Sequence, residues 1–191
     1  MDAHAPRLSW LDLPEAPRTP EVEAVLAQTR ARLGYERNGQ HVQAHRPRLL
    51  AAAEALSDAV NRDPDAELSP REKELLALVT SVENRCVPCV FAHAAALRKH
   101  TGDPLLVAAV EVNWRHAALT PREAALAAYA ECLTRAPAAV TRADLDRLRE
   151  AGLGETAILE AAAVIAYFNL SNRLNSGLGV APNAEAYAAN R

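Results

Sequence analysis

The stretch LSPREKELLALVTSVENRCVPCVFAH, residues 68–93, contains two helix starts in succession and two of the chain's three cysteines. Ser69 is a residue type typical of an N-cap, and Pro70 suits the first helical position. A second helix is predicted from about Cys86, because Pro88 would then lie in its first turn, where the missing N–H costs little. The stretch therefore predicts two consecutive helices with a cysteine pair at their junction.

The composition of the whole chain also favours helices. Of the 191 residues, 50% are apolar and only 4% are aromatic, and runs rich in Val, Ile and Thr, which are typical of strands, are nearly absent. A chain of this length can bury roughly 70% of the surface that is exposed when it is unfolded, so it needs no disulfide or bound metal for stability. We predict an all-α protein. Periodicity and caps place its helices at residues 20–33, 46–60, 68–85, 86–99, 104–114, 121–134, 142–151 and 155–177.

The chain divides into three parts. Residues 1–20 hold four of the twelve prolines and no helical period, and we interpret them as an extended N-terminal arm. Residues 21–183 form the predicted helical domain, with the CxxC motif at 86–89, and residues 184–191 form a C-terminal tail.

Two segments of the domain resemble each other. LSPREKELLALV (68–79) and LTPREAALAAYA (119–130) share Leu, Ser or Thr, Pro, Arg and Glu at equivalent positions. The similarity indicates either a duplicated helical unit or two independent N-caps of the same kind, since Ser/Thr-Pro-x-Glu is a general helix opening.

Charge and hydropathy argue against several classes of function. With a formal net charge of −3, the chain lacks the excess of basic residues that is typical of nucleic-acid-binding proteins. The longest apolar stretch, residues 157–170, contains Glu160 and is too short to span a bilayer, so we expect no membrane partner. The N-terminus lacks the basic-then-apolar order of a signal peptide. The chain has three cysteines, an odd number that cannot form a complete set of disulfides, which fits a protein of the reducing cytoplasm.

The cysteines and the following histidine have the spacing of a redox pair with its own base. On a helix Cys86 and Cys89 share a face, and His93 lies one turn beyond Cys89 on the same side. The positive end of a helix and an adjacent imidazole both stabilise a thiolate. The spacing thus supplies a nucleophile, a second thiol near enough to form a disulfide, and a proton acceptor. Glu74, in the preceding helix, is a candidate to orient His93.

Other interpretations of the cysteines are weaker. A structural zinc site needs four ligands, and the remaining candidates, His100, His116 and Cys132, follow no recognised pattern. A thioredoxin-like motif requires a βαβ context that this sequence does not offer. Two buried structural cysteines remain the plainest alternative. We therefore predict no metal.

The motif and its surroundings resemble a known family. Glu74, eleven residues, then Cys86-x-x-Cys89-x-x-x-His93 resembles the signature of AhpD-like alkylhydroperoxidases, within the carboxymuconolactone decarboxylase superfamily. RLGYERNGQHVQAHRPRLL (32–50) and AAVIAYFNLSNRLNSGLGV (162–180) are similar to the lead-in and closing helix of its uncharacterised peroxidase-related enzymes. The resemblance covers about residues 8–183.

The resemblance implies an AhpD-like helical fold, a homo-oligomer, and thiol-dependent reduction of hydroperoxides without haem or metal. It assigns attack on the peroxide to Cys89 and resolution to Cys86, with His93 and Glu74 as the proton relay. The Cys86–Cys89 disulfide would be the only redox group. An external dithiol, lipoyl or thioredoxin-like, would then reduce it.

The sequence departs from this family at Pro88, where relatives often have His or Tyr, which puts one member of the relay in doubt. Lactone decarboxylases of the superfamily share the fold but commonly lack the cysteine pair, so CVPC argues against that reaction. A dithiol carrier, a redox sensor and a lactone-type decarboxylase remain the alternatives. The residues that we rank behind the main site are Glu83, His116, Cys132, Tyr167, Asn169, Asn172 and Arg173.

Overall fold

The computed structural model describes residues 7–191, and in this part of the chain it contains helices and no strands. The helices are α1 (Pro20–Leu33), α2 (Asn38–Gln43), α3 (Pro47–Asn61), α4 (Pro70–Glu83), α5 (Val87–Thr101), α6 (Pro104–Asn113), α7 (Pro121–Arg135), α8 (Arg142–Glu150), α9 (Glu155–Gly177) and α10 (Ala184–Ala188). Short 3₁₀ turns follow α6 and α7. The prediction of an all-α protein is confirmed.

Two short helices were missed by the sequence analysis. Helix α2 lies between the first two predicted helices, and α10 lies in the segment that we interpreted as a tail. Each has fewer than two turns, so hydrophobic periodicity cannot reveal it, and helices this short depend on tertiary contacts. Helix α10 packs on α5, with the Tyr187 ring 5.0 Å from that of Phe91.

Helix α4 is the centre of the fold. Residues 75–81 are all buried, which is typical of a helix surrounded by others rather than of an amphipathic surface helix. It packs on α5, α6, α7 and α9, while α1 and α3 form an outer pair in which α3 also contacts α9. The residues of α4 therefore lie in the interior of the protein, next to α5, the helix that contains the CxxC motif.

Within residues 7–191, no single helix is long and apolar enough to cross a bilayer. Helices α8 and α9 have the length and composition of a membrane span only when they are taken together, and this pair is bent by 119°. Glu160, the charge inside the apolar stretch of α9, accepts hydrogen bonds from the backbone N–H groups of Glu67 and Leu68, each at 2.9 Å.

The N-terminal arm is attached to the end of α9. Residues 7–19 contain no helix, and residues 1–6 of the predicted arm lie outside the described residues. The Trp10 N–H donates to the Leu178 carbonyl at 3.0 Å, and the Ala181 N–H donates to the Leu8 carbonyl at 2.9 Å. The Trp10 indole lies on Gly179, where a Cβ would collide with the ring and where φ is +58°. Glycine is therefore required there for space and for conformation.

The two similar segments begin helices α4 and α7, which are neighbours. Both begin with a capping box. Arg71 Nε donates to Glu123 Oε1 at 2.6 Å, and Arg122 Nε donates to Glu72 Oε1 at 2.6 Å. The sequence similarity thus corresponds to a reciprocal exchange of ion pairs between two helix starts.

These carboxylates remain ionised although they are largely buried. Burial alone would raise the pKa of Glu72, but hydrogen bonds from Arg122 and Ser69 outweigh it, and the pKa lies below its ordinary value. The pKa of Glu123 is lowered by its equivalent partners against the same effect of burial. Both groups therefore stabilise the fold above the unfolded-state pKa of about 4.3, and this contribution is lost as the pH falls through the lower folded-state pKa.

We expect Glu123→Gln to lower the free energy of unfolding by about 2 kcal/mol at neutral pH, because it leaves the Arg71 guanidinium without its charged partner. The difference from wild type should shrink as the pH falls from the unfolded-state pKa of about 4.3 through the lower folded-state pKa of Glu123. Urea unfolding at several pH values measures both effects. The matched control is Asp146→Asn, which removes an exposed partner of Arg149 and should cost less than about 1 kcal/mol. Equal losses of unfolding free energy in the two variants would contradict the conclusion that the Arg71–Glu123 pair stabilises the fold more than an exposed ion pair does.

Candidate active site

A sharp reversal of the chain positions the cysteine pair. At the end of α4 the Cys86 N–H donates to the Ser81 carbonyl at 3.0 Å, and the Arg85 N–H donates to the Val82 carbonyl at 2.9 Å. These bonds form a Schellman motif, which requires a left-handed residue at the position of Arg85. Its φ is +52°, a conformation that costs a non-glycine residue about 1–3 kcal/mol. The reversal places Cys86 at the start of the next helix.

Cys86 is the N-cap of α5, and Cys89 lies in its first turn. Pro88 lies in the same turn, as predicted. The two cysteines are joined as a disulfide, with 5.3 Å between their Cα atoms, and both are buried. The helix N-terminus directs its unpaired N–H groups and its positive dipole towards this pair.

His93 lies on α5 one turn after Cys89 and contacts the central helix. Its Nδ1 is 2.8 Å from Glu74 Oε2. Because a carboxylate can only accept a hydrogen bond there, Nδ1 carries the ring proton and Nε2 is the basic nitrogen. The ring also packs edge-on against Phe168 of α9, with 4.3 Å between centroids. Two neighbouring helices therefore fix the orientation of the imidazole.

A cavity of about 200 Å³ opens beside these residues. Cys89, His93 and Glu74 all line it, together with Pro88, whereas Cys86 does not. The cavity side of the disulfide is thus Cys89, and Cys86 lies behind it. A small molecule in the cavity would meet the Cys89 sulfur and the imidazole together.

Asn175 is a site residue that the sequence analysis missed. Its Nδ2 donates to Cys89 Sγ at 3.4 Å, and it lines the same cavity. Gly39 of α2 makes room for it, since a Cβ at Gly39 would lie 2.8 Å from Asn175 Oδ1. The only available signal was its place in the family-like closing segment, two residues beyond the polar set that we singled out. Asn175 gives the sulfur a hydrogen-bond donor from a third helix.

The polar residues that we singled out on α9 are Tyr167, Asn169, Asn172 and Arg173. Only Tyr167 lines the cavity. Asn172 accepts a hydrogen bond from Ser81 Oγ at 3.2 Å, and Asn169 accepts one from Asn84 Nδ2 at 3.0 Å. Arg173 donates back to the carbonyl of Asn169 at 2.9 Å. Asn169 and Asn172 therefore join α9 to the reversal that precedes Cys86.

Comparison with known proteins identifies the family. The model of the carboxymuconolactone decarboxylase family matches residues 47–132. The structure of an uncharacterised peroxidase-related protein from Ralstonia eutropha JMP134, described as an alkylhydroperoxidase AhpD core, is 32% identical, covers 98% of each chain and superposes with a TM-score of 0.91. The chain belongs to the carboxymuconolactone decarboxylase family. The resemblance given by the sequence motifs is confirmed, as is the AhpD-like helical fold.

Other solved structures extend the comparison. A peroxidase-related protein from Silicibacter sp. TM1040 is 33% identical, covers 96% of each chain and has a TM-score of 0.90. The debrominase Bmp8, solved in complex with 2,3,4-tribromopyrrole, is 22% identical, covers 94% of this chain and 96% of its own, and has a TM-score of 0.80. At that identity the likeness concerns the fold alone. No functionally curated protein matches the sequence.

Other residues considered in the sequence analysis lie elsewhere in this family member. Glu83, His116 and Cys132 do not line the cavity. Burial and the neighbouring Glu131 raise the pKa of Glu83, which lies 3.6 Å from Arg135 Nη1. Within residues 7–191, no group of three or more His, Cys, Asp and Glu side chains is arranged to hold a metal ion.

Proposed function

We propose that this protein is a thiol-dependent peroxidase that reduces organic hydroperoxides or hydrogen peroxide. One observation carries the proposal: Cys89 faces a small cavity beside the His93–Glu74 pair, while its partner Cys86 lies behind it. A nucleophile next to an oriented base is the arrangement that activated thiols require. The names of two peroxidase-related structures, at 32% and 33% identity, support the same class of reaction.

In the first step the Cys89 thiolate attacks the terminal oxygen of the hydroperoxide. An S–O bond forms and the O–O bond breaks, so the sulfur is oxidised to a sulfenic acid and the peroxide is reduced to an alcohol. The leaving alkoxide needs a proton, which His93 Nε2 delivers after taking it from the thiol. Glu74 stabilises the imidazolium in between, and the Asn175 amide donates a hydrogen bond to the sulfur.

In the second step the Cys86 thiol condenses with the sulfenic acid, which forms the disulfide and releases water. Cys86, the N-cap of α5, and Cys89, in its first turn, have Cα atoms 5.3 Å apart, within the range that a disulfide requires. A dithiol, lipoyl or thioredoxin-like, then exchanges with the disulfide and restores both thiols. We place this cycle in the reducing cytoplasm, without haem, metal or any further cofactor.

We also propose that the protein forms a homo-oligomer. Leu105 and Val112 of α6 are both large apolar residues exposed over most of their surface, and they lie two turns apart on one face. Such a face is suited to close packing against a second copy. Light scattering of the purified protein measures the assembly, and a monomer would contradict the proposal.

The central test uses pre-reduced, metal-free protein with stoichiometric cumene hydroperoxide. Because Cys132 is a free cysteine, a Cys132→Ser background leaves only the pair. We expect two thiols to be lost per peroxide consumed, and peptide mapping to find the Cys86–Cys89 bridge. Thiols that ignore peroxide but exchange rapidly with dihydrolipoamide would make the protein a dithiol carrier instead. A change of assembly on oxidation, without turnover, would make it a sensor.

A further inference from the structure

The cavity that contains Cys89 also carries a group of arginines. Arg32 comes from the last turn of α1, Arg37 from the loop before α2, and Arg62 from the C-cap of α3, and all three line the cavity. Three separate segments of the chain therefore contribute arginines to the lining of one cavity. The acidic side chains that line it are Glu54 and Glu74.

These positive charges are incompletely neutralised. Glu74 is engaged by His93, and Glu54 pairs with Arg37. Even so, Arg37 Nε is buried without a hydrogen-bond acceptor among residues 7–191. Arg32, whose side chain is partly buried and partly exposed to solvent, makes neither a hydrogen bond nor an ion pair with any residue in that described part of the chain.

Arg62 is the third member, and it pairs with Asp58 one turn earlier on the exposed side of α3. Asp58 does not line the cavity. Burial and then the charge of Arg37 lower the pKa of Arg32, and burial and then the charge of Arg32 lower the pKa of Arg62. The arginines therefore repel one another, and an anion between them would relieve that repulsion. Guanidinium groups suit a carboxylate particularly well, because they bind it with two parallel hydrogen bonds.

Much of the remaining lining is apolar, which suits a carbon skeleton rather than a second charge. The apolar lining residues include Leu33, Ala53, Ala92, Phe168, Leu170 and Leu174. At about 200 Å³ the cavity is smaller than the roughly 300–1,000 Å³ typical of sites for drug-sized ligands. This lining and volume suit a small molecule with an apolar body and an acidic end.

We propose that the substrate is a small organic hydroperoxide that carries a carboxylate. Arg32 and Arg62 bind the carboxylate at the mouth, the apolar wall holds the carbon skeleton, and the peroxide group reaches Cys89. This inference rests on the proposed function and names the substrate class of the same site. The carboxylate is unchanged by the reaction, and the step at sulfur is the O–O cleavage described above.

The kinetic test compares cumene hydroperoxide with its para-carboxylate analogue, which has the same reacting group. We expect Arg32→Gln and Arg62→Gln each to slow thiol oxidation by the carboxylate analogue about fivefold, as befits a partly exposed ion pair. Oxidation by neutral cumene hydroperoxide should be unchanged. Arg147→Gln, which alters an exposed arginine that bonds Asp144 on α8, is the matched control and should affect neither rate. Equal effects on both peroxides would overturn the proposal.

A binding measurement separates this inference from the proposed function. Titration calorimetry follows para-isopropylbenzoate and its neutral amide analogue with the oxidised protein, in which no peroxide chemistry can occur. We expect the acid to bind more tightly than the amide and Arg32→Gln to abolish the difference, whether or not the thiols react with peroxide. If acid and amide bind alike, the arginines do not form a carboxylate subsite. If Arg32→Gln impairs only the reduction of the disulfide by an acidic dithiol protein, the arginines bind the reductant instead of the substrate, and the proposal is wrong.

Discussion

The Cys89→Ser variant is expected to lose reaction with hydroperoxide altogether, by at least about 10³-fold, as other enzymes do when their nucleophile is removed. Cys89 is the cysteine that lines the cavity and accepts the Asn175 hydrogen bond. A serine hydroxyl has neither the thiolate nor the polarisable sulfur that attacks a peroxide oxygen. Stopped-flow measurement of peroxide consumption by reduced protein gives the rate directly.

The matched variant is Cys86→Ser, which removes the thiol that the cavity does not reach. In the Cys132→Ser background it should consume one peroxide at close to the wild-type rate and then stop, because the chain then has no second thiol to resolve the sulfenic acid. Trapping with dimedone and mass spectrometry should find the label on Cys89. If Cys86→Ser abolished the first step and Cys89→Ser preserved it, the two roles would have to be exchanged.

The second large effect concerns His93. We expect His93→Gln to slow the first step by about 10²–10⁴-fold, the usual contribution of a positioned general base. Glutamine retains a polar contact to Glu74 but has no nitrogen that accepts and releases a proton near neutral pH. The rate should be measured for both proteins at several pH values, so that the comparison does not depend on a single pH.

Glu74→Gln serves as the companion to this variant. It removes the carboxylate that orients His93 at 2.8 Å while preserving the size of the side chain, so the loss should be smaller than for His93→Gln. Urea unfolding of both variants tests for structural damage. An unchanged rate in His93→Gln, in a protein of wild-type stability, would restrict His93 to packing against Phe168.

The parts of the fold and site that sequence predicts are those set by local spacing. The CxxC motif and His93 lie on one helix, so their shared face follows from 3.6 residues per turn. The N-caps Ser69 and Thr120 mark their helix starts for the same reason. The contact between Glu74 and His93 joins two helices, and it was predicted from the need of a base for an orienting group and from the resemblance to the family signature.

Features that depend on contacts between distant segments could not be predicted from the sequence. Asn175 approaches Cys89 only because α9 passes beside the start of α5 and because Gly39 leaves room for its amide. The arginines at the cavity mouth come from three separate segments, and none has a local signal that distinguishes it from a solvated surface residue. Their convergence is a property of tertiary packing and cannot be inferred from helical periodicity.

The bonds between the N-terminal arm and the end of α9 also set an order for biosynthesis. Leu8 and Trp10 leave the ribosome well before their hydrogen-bond partners Ala181 and Leu178. The neighbouring Val180 and Ala181 form part of the cavity wall. The cysteine pair is therefore complete on the nascent chain long before its cavity is. The wall of this cavity is therefore complete only after the segment that follows α9 has been synthesised.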